Sequence, residues 1–411
     1  MNAPVDLNPA MSEPFAKPRT LLLLTNQELW PGIICTRHFR PEKIILLHGN
    51  TPAASKEPAV RLQKFLLKSG LVDKCELLEL SDDDFVGIQQ KLDSASTTEP
   101  LAVGFNGATK LMAVACFDWA MKKGHQALYL ETDNEIQRFE ADGDKIVCRR
   151  EDADLSGLSN LNPVETMRSH LQRSEIRKTP KVLTLSEQGK DLPMREALEM
   201  LDQSLRTSKR SQVPLLCRDN RPWHPDSGTI HSYGERYELT VALALLKLGV
   251  AQVAHSVELS AFDSQHVKHV HAELDLVFIW KGRLWVVECK DHEKVEKKGR
   301  KLWDSLKQEA RLHNLDSDEQ EFIDEMGGML RRRYKKILKE RMLAARECGG
   351  ALAQVIFAVR DEPGGDVAEF AELHKIHMAR QNSLEQDLAQ ALSVKIGRES
   401  GSWLDLLSDG T

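Results

Sequence analysis

Apolar residues along this chain follow two rhythms, and their alternation gives the first outline of the fold. Between residues 20 and 150, short apolar runs are separated by stretches with helical spacing. Leu21-Leu22-Leu23-Leu24 reads as a strand, followed by the polar turn Thr25-Asn26-Gln27. Lys43 to Leu47 reads as a second strand. Val60, Leu62, Phe65 and Leu66 predict a helix over Glu57 to Ser69, ended by Gly70. Strands are expected at Cys75 to Leu80, Leu101 to Phe105 and Gln126 to Leu130. Helices are expected at Asp83 to Leu92 and Leu111 to Lys123. Asp142-Gly143 suggests a closing hairpin over Ile136 to Arg149. Strand–helix alternation of this kind predicts a parallel, doubly wound sheet.

Residues 151–215 are polar, with Pro163, Pro180 and Pro193 and helical patches near Val164–Ile176 and Arg195–Leu205. They read as a small helical connector. A second compact region follows. Gly234 to Glu238 opens a helix whose apolar stripe is Leu239, Ala242, Leu243 and Leu246. Gln252–Leu259 reads as a strand, Trp303–Arg346 as largely helical and Ala351–Val359 as a strand. A helix near Ala368–Leu373, a strand at Lys375–Ala379 and a helix at Leu384–Leu392 complete the series.

The densest pattern is Asp275 to Lys290, two β-branched and aromatic runs joined at Lys281-Gly282. A two-residue turn there sets Trp280 opposite Arg283 and Asp275 opposite Glu288. Side chains alternate faces along a strand, so Lys290 shares the face of Glu288. Opposed like charges destabilise a sheet, and a cation between them reverses the sign. Hard ions such as Mg2+ take one or two carboxylates together with water and phosphate oxygens. Asp275, Glu288 and Lys290 therefore form a candidate metal site with an ammonium that can stabilise a phosphate or orient water. The plainer reading is a half-exposed hairpin, with Lys290 paired to Glu273 across the ladder. Glu235 and Glu238 lie three apart on one helix face, and either can present a carboxylate to the hairpin. Both also suit a helix N-terminus. His266, His269 and His271 offer a His-x-His pattern, which more often decorates a loop than binds metal.

Two polar strand ends stand out in the first region, Thr25-Asn26-Gln27 and Asn106-Gly107-Ala108-Thr109-Lys110. In open sheets of this type, ligands sit beyond the carboxyl ends of the strands. Free N–H groups from Gly107 onward, the Thr109 hydroxyl and the Lys110 ammonium suit a phosphate. Ordinary helix capping with a solvated Lys110 explains them equally well. There is no G-x-G-x-x-G and no G-x-x-x-x-G-K-[ST], so neither a nicotinamide cofactor nor a P-loop is supported.

A length of 411 residues predicts two domains, and 41% hydrophobic with 29% charged residues suits a globular protein. The formal charge of -6 excludes a bulk positive field, so any polyanion site must be local. The seven Cys are widely spaced with no C-x-x-C, which argues against a zinc module and for reduced thiols. No apolar run reaches membrane-spanning length, so no membrane association is expected. Met1 to Lys17 is polar and Pro-rich without a signal-peptide core, so a cytoplasmic location is expected. The expected organisation is a disordered tail over 1–18, one domain over 19–150, the connector over 151–215 and a second domain over 216–411.

Gly234-x-x-Tyr237-Glu238, then Glu273-Leu274-Asp275, then Val286-Val287-Glu288-Cys289-Lys290 resembles the PD-(D/E)xK nuclease superfamily. The Thr25-Asn26-Gln27 turn and Asn106-Gly107-Ala108-Thr109-Lys110 resemble a CARF domain. Many relatives carry Gly-Gly-Thr-Lys where this chain has Gly107-Ala108-Thr109-Lys110. The basic helical segment 294–346 also exceeds the simplest pattern. Together the motifs resemble the ancillary nucleases of type III CRISPR systems, covering about Thr20 to Leu392. The resemblance implies a fold class: a Rossmann-like CARF domain followed by a restriction-endonuclease-like α/β nuclease domain. It implies Mn2+ or Mg2+ held by Glu238, Asp275, Glu288 and the carbonyl of Cys289, with Lys290 as catalytic ammonium. It implies a homodimer holding cyclic oligoadenylate, with cyclic tetra-adenylate first, through Thr25, Asn26, Gln27, Asn106, Gly107, Thr109 and Lys110. The implied activity is cleavage of single-stranded DNA or RNA, or nicking of duplex DNA. One alternative is a nucleotide-sensing regulator or scaffold with a non-catalytic nuclease-like domain. Another is a restriction or repair nuclease whose first domain binds DNA, although no helix-turn-helix or zinc pattern supports it.

Overall fold

The computed structural model describes residues 16–95, 100–171, 174–177, 180–207, 214–217, 233–261, 271–290, 335–346, 353–360 and 365–394. The chain divides into two units, Met1–Gln172 and Arg173–Thr411. His266, His269, residues 294–301, most of the 303–346 helical stretch, most of the N-terminal tail and the tail from Gly397 lie outside the described residues.

The first unit is built on β1 (Thr20–Leu24), β2 (Lys43–His48), β3 (Lys74–Glu79), β4 (Leu101–Gly104), β5 (Gln126–Leu130), β6 (Glu135–Asp142) and β7 (Lys145–Asp152). Their order in the sheet is β3-β2-β1-β4-β5-β6-β7. The first five are parallel, and β6 and β7 close the edge antiparallel. Parallel strands are covered on both faces, so they appear as unbroken apolar runs. β1 fits that rule, with every residue buried. Helices α1 (Trp30–Phe39), α2 (Glu57–Lys68), α3 (Phe85–Ala95) and α4 (Lys110–Lys123) connect the strands. Strand order reverses between β1 and β4, so the loops leaving these two strands meet at the topological switch point.

The periodicity had predicted these strands but not α1. That helix buries Trp30, Gly32, Ile33, Ile34, Cys35, Thr36 and Phe39, so it has almost no polar face to reveal a period. The β6–β7 turn is Gly143-Asp144, one residue later than Asp142-Gly143, because Asp142 itself pairs with Lys145.

The 151–215 connector does not exist as one piece. α5 (Pro163–His170) belongs to the first unit, where Arg61 donates to the Ser169 carbonyl at 2.9 Å and Lys68 pairs with Glu165 at 2.7 Å. The expected extension of this helix to Ile176 is replaced by a strand. From there the chain supplies the second sheet with β8 (Ser174–Ile176), β9 (Lys181–Leu185) and β10 (Leu215–Cys217). α6 (Glu187–Asp191) and α7 (Met194–Thr207) lie between β9 and β10.

The second unit continues with α8 (Tyr233–Lys247), β11 (Val253–Ala261), β12 (His271–Trp280) and β13 (Arg283–Lys290). α9 covers residues 335–346. β14 (Gln354–Val359), α10 (Gly365–Leu373), β15 (His377–Arg380) and α11 (Leu384–Leu392) follow. The sheet runs β10-β9-β11-β12-β13-β14-β15, with β8 also on β11. β11 to β13 are antiparallel, while β13, β14 and β15 are parallel. α8 packs on the face bearing Leu276, Phe278, Trp285, Val287 and Cys289. Among the described residues, no helix is long and apolar enough to cross a membrane.

The β12–β13 turn has the expected two residues, with Trp280 opposite Arg283. Lys281 and Gly282 both have positive φ, 46° and 68°, the signature of a type I′ turn. A β-branched residue is strained there, so Gly282→Val should lower unfolding stability by about 1–2 kcal/mol. Urea denaturation would check this. An unchanged midpoint would mean that the turn does not set the register.

Candidate active site and nucleotide cradle

Pairing between β12 and β13 runs from Trp280↔Arg283 to Leu276↔Val287. The same register sets Asp275 opposite Glu288. Here a side chain enters the ladder: the Cys289 N–H donates to Asp275 Oδ2 at 2.6 Å. Since Leu276, Val287 and Cys289 face the α8 core, alternation turns Asp275, Glu288 and Lys290 to the opposite side. Asp275 is 8% exposed and Glu288 2%. The Lys290 ammonium lies 2.6 Å from Glu288 Oε1 and 3.7 Å from Asp275 Oδ2, and it donates to the Cys289 carbonyl at 3.1 Å. Lys290 therefore serves the acidic pair rather than the cross-strand Glu273. Glu273 instead accepts from the Ser256 hydroxyl.

Burial, followed by the negative charge of Glu288, holds the Asp275 carboxyl well above its ordinary range; Lys290 opposes the shift. Burial raises Glu288 too, again against Lys290. For Lys290 itself, burial works against the charge, but Asp275 and Glu288 outweigh it and hold the ammonium above its ordinary value. The Cys289 thiol is pushed well up by burial and then by Asp275. It is a neutral core thiol, and only the Cys289 backbone, through its N–H and its carbonyl, takes part in this chemistry.

Glu238 Oε2 lies 2.9 Å from Nε2 of the buried His255. Its charge raises both Asp275 and Glu288. Glu238 is thus the helix carboxylate coupled to the hairpin. It does not complete the expected cluster of three carboxylates, however. Among the described residues, no three His, Cys, Asp or Glu side chains stand together as a metal-holding group. The register brings Asp275 and Glu288 together, whereas Glu238 belongs to a helix on the other face and is held by His255. Sequence reading missed His255, although it signalled itself as the polar residue on the strand face it shares with Val253, Val257 and Leu259.

Asp275, Glu288 and Lys290 open into a cleft of about 480 Å³. Glu258 and Glu273 add two carboxylates there, and Arg177 and Arg341 add two guanidinium groups. Of the three histidines expected in one loop, His271 begins β12 opposite Ser260.

In the first unit, the two polar strand ends interlock at the switch point. Gly107 has φ 98°, and a Cβ there would stand 2.9 Å from Asn26 Cγ. The buried Thr25 hydroxyl donates to the Leu47 carbonyl at 2.9 Å, and Asn26 Oδ1 accepts from the Glu28 N–H at 2.7 Å. Asn106 copies a strand partner: it donates to the Leu130 carbonyl at 2.8 Å and accepts the Leu130 N–H at 2.7 Å. Thr109 caps α4 by accepting from Met112 N–H. Four of the expected binding residues thus form the framework. Gln27 and Lys110 are exposed, with no side-chain partner among the described residues, and remain available to a ligand together with the N-terminal N–H groups of α4. Ala108, at φ 60°, occupies a left-handed position that favours glycine.

No family model and no curated protein matches the chain. Solved structures do. Can2 from Sulfobacillus thermosulfidooxidans, in complex with cyclic tetra-adenylate (cA4), superposes over 92% of this chain and 97% of its own, with a TM-score of 0.53 and 14% identity. The chain has the expected α/β fold, a Rossmann-like unit followed by a restriction-endonuclease-like α/β unit. Protein VC1899 from Vibrio cholerae covers 91% of this chain and 97% of its own, with a TM-score of 0.55 and 10% identity. The interlocked strand ends belong to the first unit and the acidic pair to the second.

Two outcomes follow from these geometries. Asn106→Ala should cost about 1–3 kcal/mol through the paired bonds to Leu130, whereas Lys110→Ala should change stability by less than about 0.5 kcal/mol. Thermal melts would compare them, and equal losses would contradict the division between framework and available groups. The raised Asp275 pKa has a definite sign in linkage. A carboxyl raised on folding binds protons more readily in the folded state, so stability falls as pH rises above the unfolded value near 4. In metal-free buffer, Asp275→Asn should therefore gain on the wild type in urea midpoint between about pH 4 and pH 7. A gap independent of pH would show that Asp275 is not strained by its neighbours.

Proposed function

We propose that this protein is a metal-dependent nuclease, activated by cyclic oligoadenylate, that cleaves phosphodiester bonds of single-stranded DNA or RNA and nicks duplex DNA. The observation that carries the reading is the buried Asp275–Glu288 pair with the Lys290 ammonium against it. Two crowded carboxylates are costly to bury, and Lys290, 2.6 Å from Glu288 Oε1 and 3.7 Å from Asp275 Oδ2, offsets only part of that cost, since both carboxyls stay raised despite it. Hard oxygen donors suit Mn2+ or Mg2+, which need only one or two carboxylates when phosphate and water complete the shell. Asp275, Glu288 and the Cys289 carbonyl would hold the ion. When bound, it would supply Lewis acidity and a more acidic water. Lys290 presents a positive charge to the phosphate and is kept protonated by its neighbours. The Cys289 N–H fixes the orientation of Asp275. Glu238, held by His255, deepens the negative field from the helix side.

The activator belongs in the first unit. Can2 is described in complex with cyclic tetra-adenylate, and the first unit here offers Gln27, Lys110 and the α4 N-terminus at a switch point. A two-fold symmetric ring suits a homodimer that offers the same surface twice. Ring binding would act by favouring one arrangement of the paired nuclease domains. We place the protein in the cytoplasm, in type III CRISPR defence.

The rival is a nucleotide-sensing regulator with a non-catalytic second domain. It is favoured by the want of a three-residue metal cluster among the described residues. One assay grid separates the two: plasmid, single-stranded DNA and RNA, each with Mn2+ or EDTA, with and without a panel of cyclic oligoadenylates. Cleavage is expected only with both metal and activator. Asp275→Asn or Lys290→Met should reduce it at least about 100-fold without unfolding the protein. Lys110→Ala should raise the activator concentration needed while leaving the fully activated rate in place. Activator binding without cleavage under any condition would establish the rival.

A further inference from the structure

The basic segment after β13 has no place in the reading so far, yet its described helix meets the cleft. α9 buries Leu338, Met342 and Ala345, which fixes one stripe inward. Lys335 and Lys339 hold Asp366 of α10 at 2.6 and 3.6 Å, and Arg346 donates to the His374 carbonyl. These contacts anchor the helix. Arg341 lies beside the buried stripe, three residues after Leu338, and lines the cleft. Its guanidinium is 4.0 Å from Glu288 Oε1, with a side chain 51% exposed, and it makes no hydrogen bond among the described residues. A simple counter-ion for Glu288 would sit closer, and Lys290 already does so at 2.6 Å. At 4.0 Å and with the Arg341 side chain half exposed, the contact is too loose to be that residue's main role. Meanwhile the cleft carries Glu258, Glu273, Asp275 and Glu288, which repel a polyanion, and Lys290 is committed to two of them. A nucleic-acid strand needs a further cation there, and a planar fork of donors matches phosphate oxygens.

We propose that Arg341 is a substrate-binding residue that grips a backbone phosphate adjoining the one presented to Lys290. This rests on the nuclease reading above. A phosphate contact carries no sequence information, so its loss weakens every sequence alike and removes about one unit from the slope of log Kd against log salt.

The test uses the full-length protein with cyclic tetra-adenylate and Ca2+, and fluorescein-labelled single-stranded DNA and RNA oligonucleotides of several sequences, read by anisotropy over a KCl series. Arg341→Ala should weaken binding about tenfold on every oligonucleotide and lower the salt slope by about one. Arg341→Lys should keep the slope and lose part of the affinity, because the charge stays and the fork does not. Should Arg341→Ala melt early, the lysine variant decides alone, and wild-type affinity in it overturns the proposal. Unchanged affinity and slope in a folded Arg341→Ala protein overturn the role of Arg341 and leave the nuclease reading standing. A wild-type protein that binds no oligonucleotide overturns both.

Discussion

Two carboxylates buried on adjoining strands repel each other, and the groups around them in the second unit hold that repulsion in place. The register of β12 and β13 brings Asp275 and Glu288 together, and burial denies them water. Relief comes from the Lys290 ammonium and from the Cys289 N–H given to Asp275. Leaving a buried charge without its partner costs stability, so Lys290 and the Cys289 N–H are part of what allows the pair to be buried here. In the proposed function, the same crowding that costs stability is what would draw a hard divalent cation to the pair. Structural tension and proposed chemistry have one source.

Under the proposed function, the first unit faces a different problem. A phosphate-binding surface needs free donors, but a loop with unpaired donors is hard to hold in place. The division of labour at the β1–β4 switch point answers this. Thr25, Asn26, Asn106 and Thr109 spend their hydrogen bonds on the backbone, and Gly107 lets the two loops touch. Gln27, Lys110 and the start of α4 are then displayed on a rigid mount. A resemblance of motifs named all these residues alike as ligand contacts; the hydrogen bonds separate those that shape the cradle from those left to fill it.

How far the sequence disclosed this depended on whether each feature is local. The β12–β13 hairpin was legible because period-two alternation and Lys281-Gly282 fix a register by counting, and counting is enough to pair Asp275 with Glu288. The parallel sheet was legible from its unbroken apolar strands. α1 was not, because a helix buried on nearly every face has no amphipathic period. β8 and β10, of three residues each, are too short to show alternation. The position of Glu238 was hidden for a third reason. Helical spacing gives the face of a helix, but not the side of the sheet on which that helix packs. That depends on long-range packing, as does the pairing of Glu238 with His255.

The central claim is that Asp275 and Glu288 together form a divalent-cation site. Calorimetric titration of Mn2+ into the wild-type protein and into Glu288→Gln tests it without reference to any activity. The account predicts saturable binding to the wild type, with release of protons from the crowded pair, and loss of that binding in the variant. Equal binding by both proteins, or none by the wild type, would contradict it.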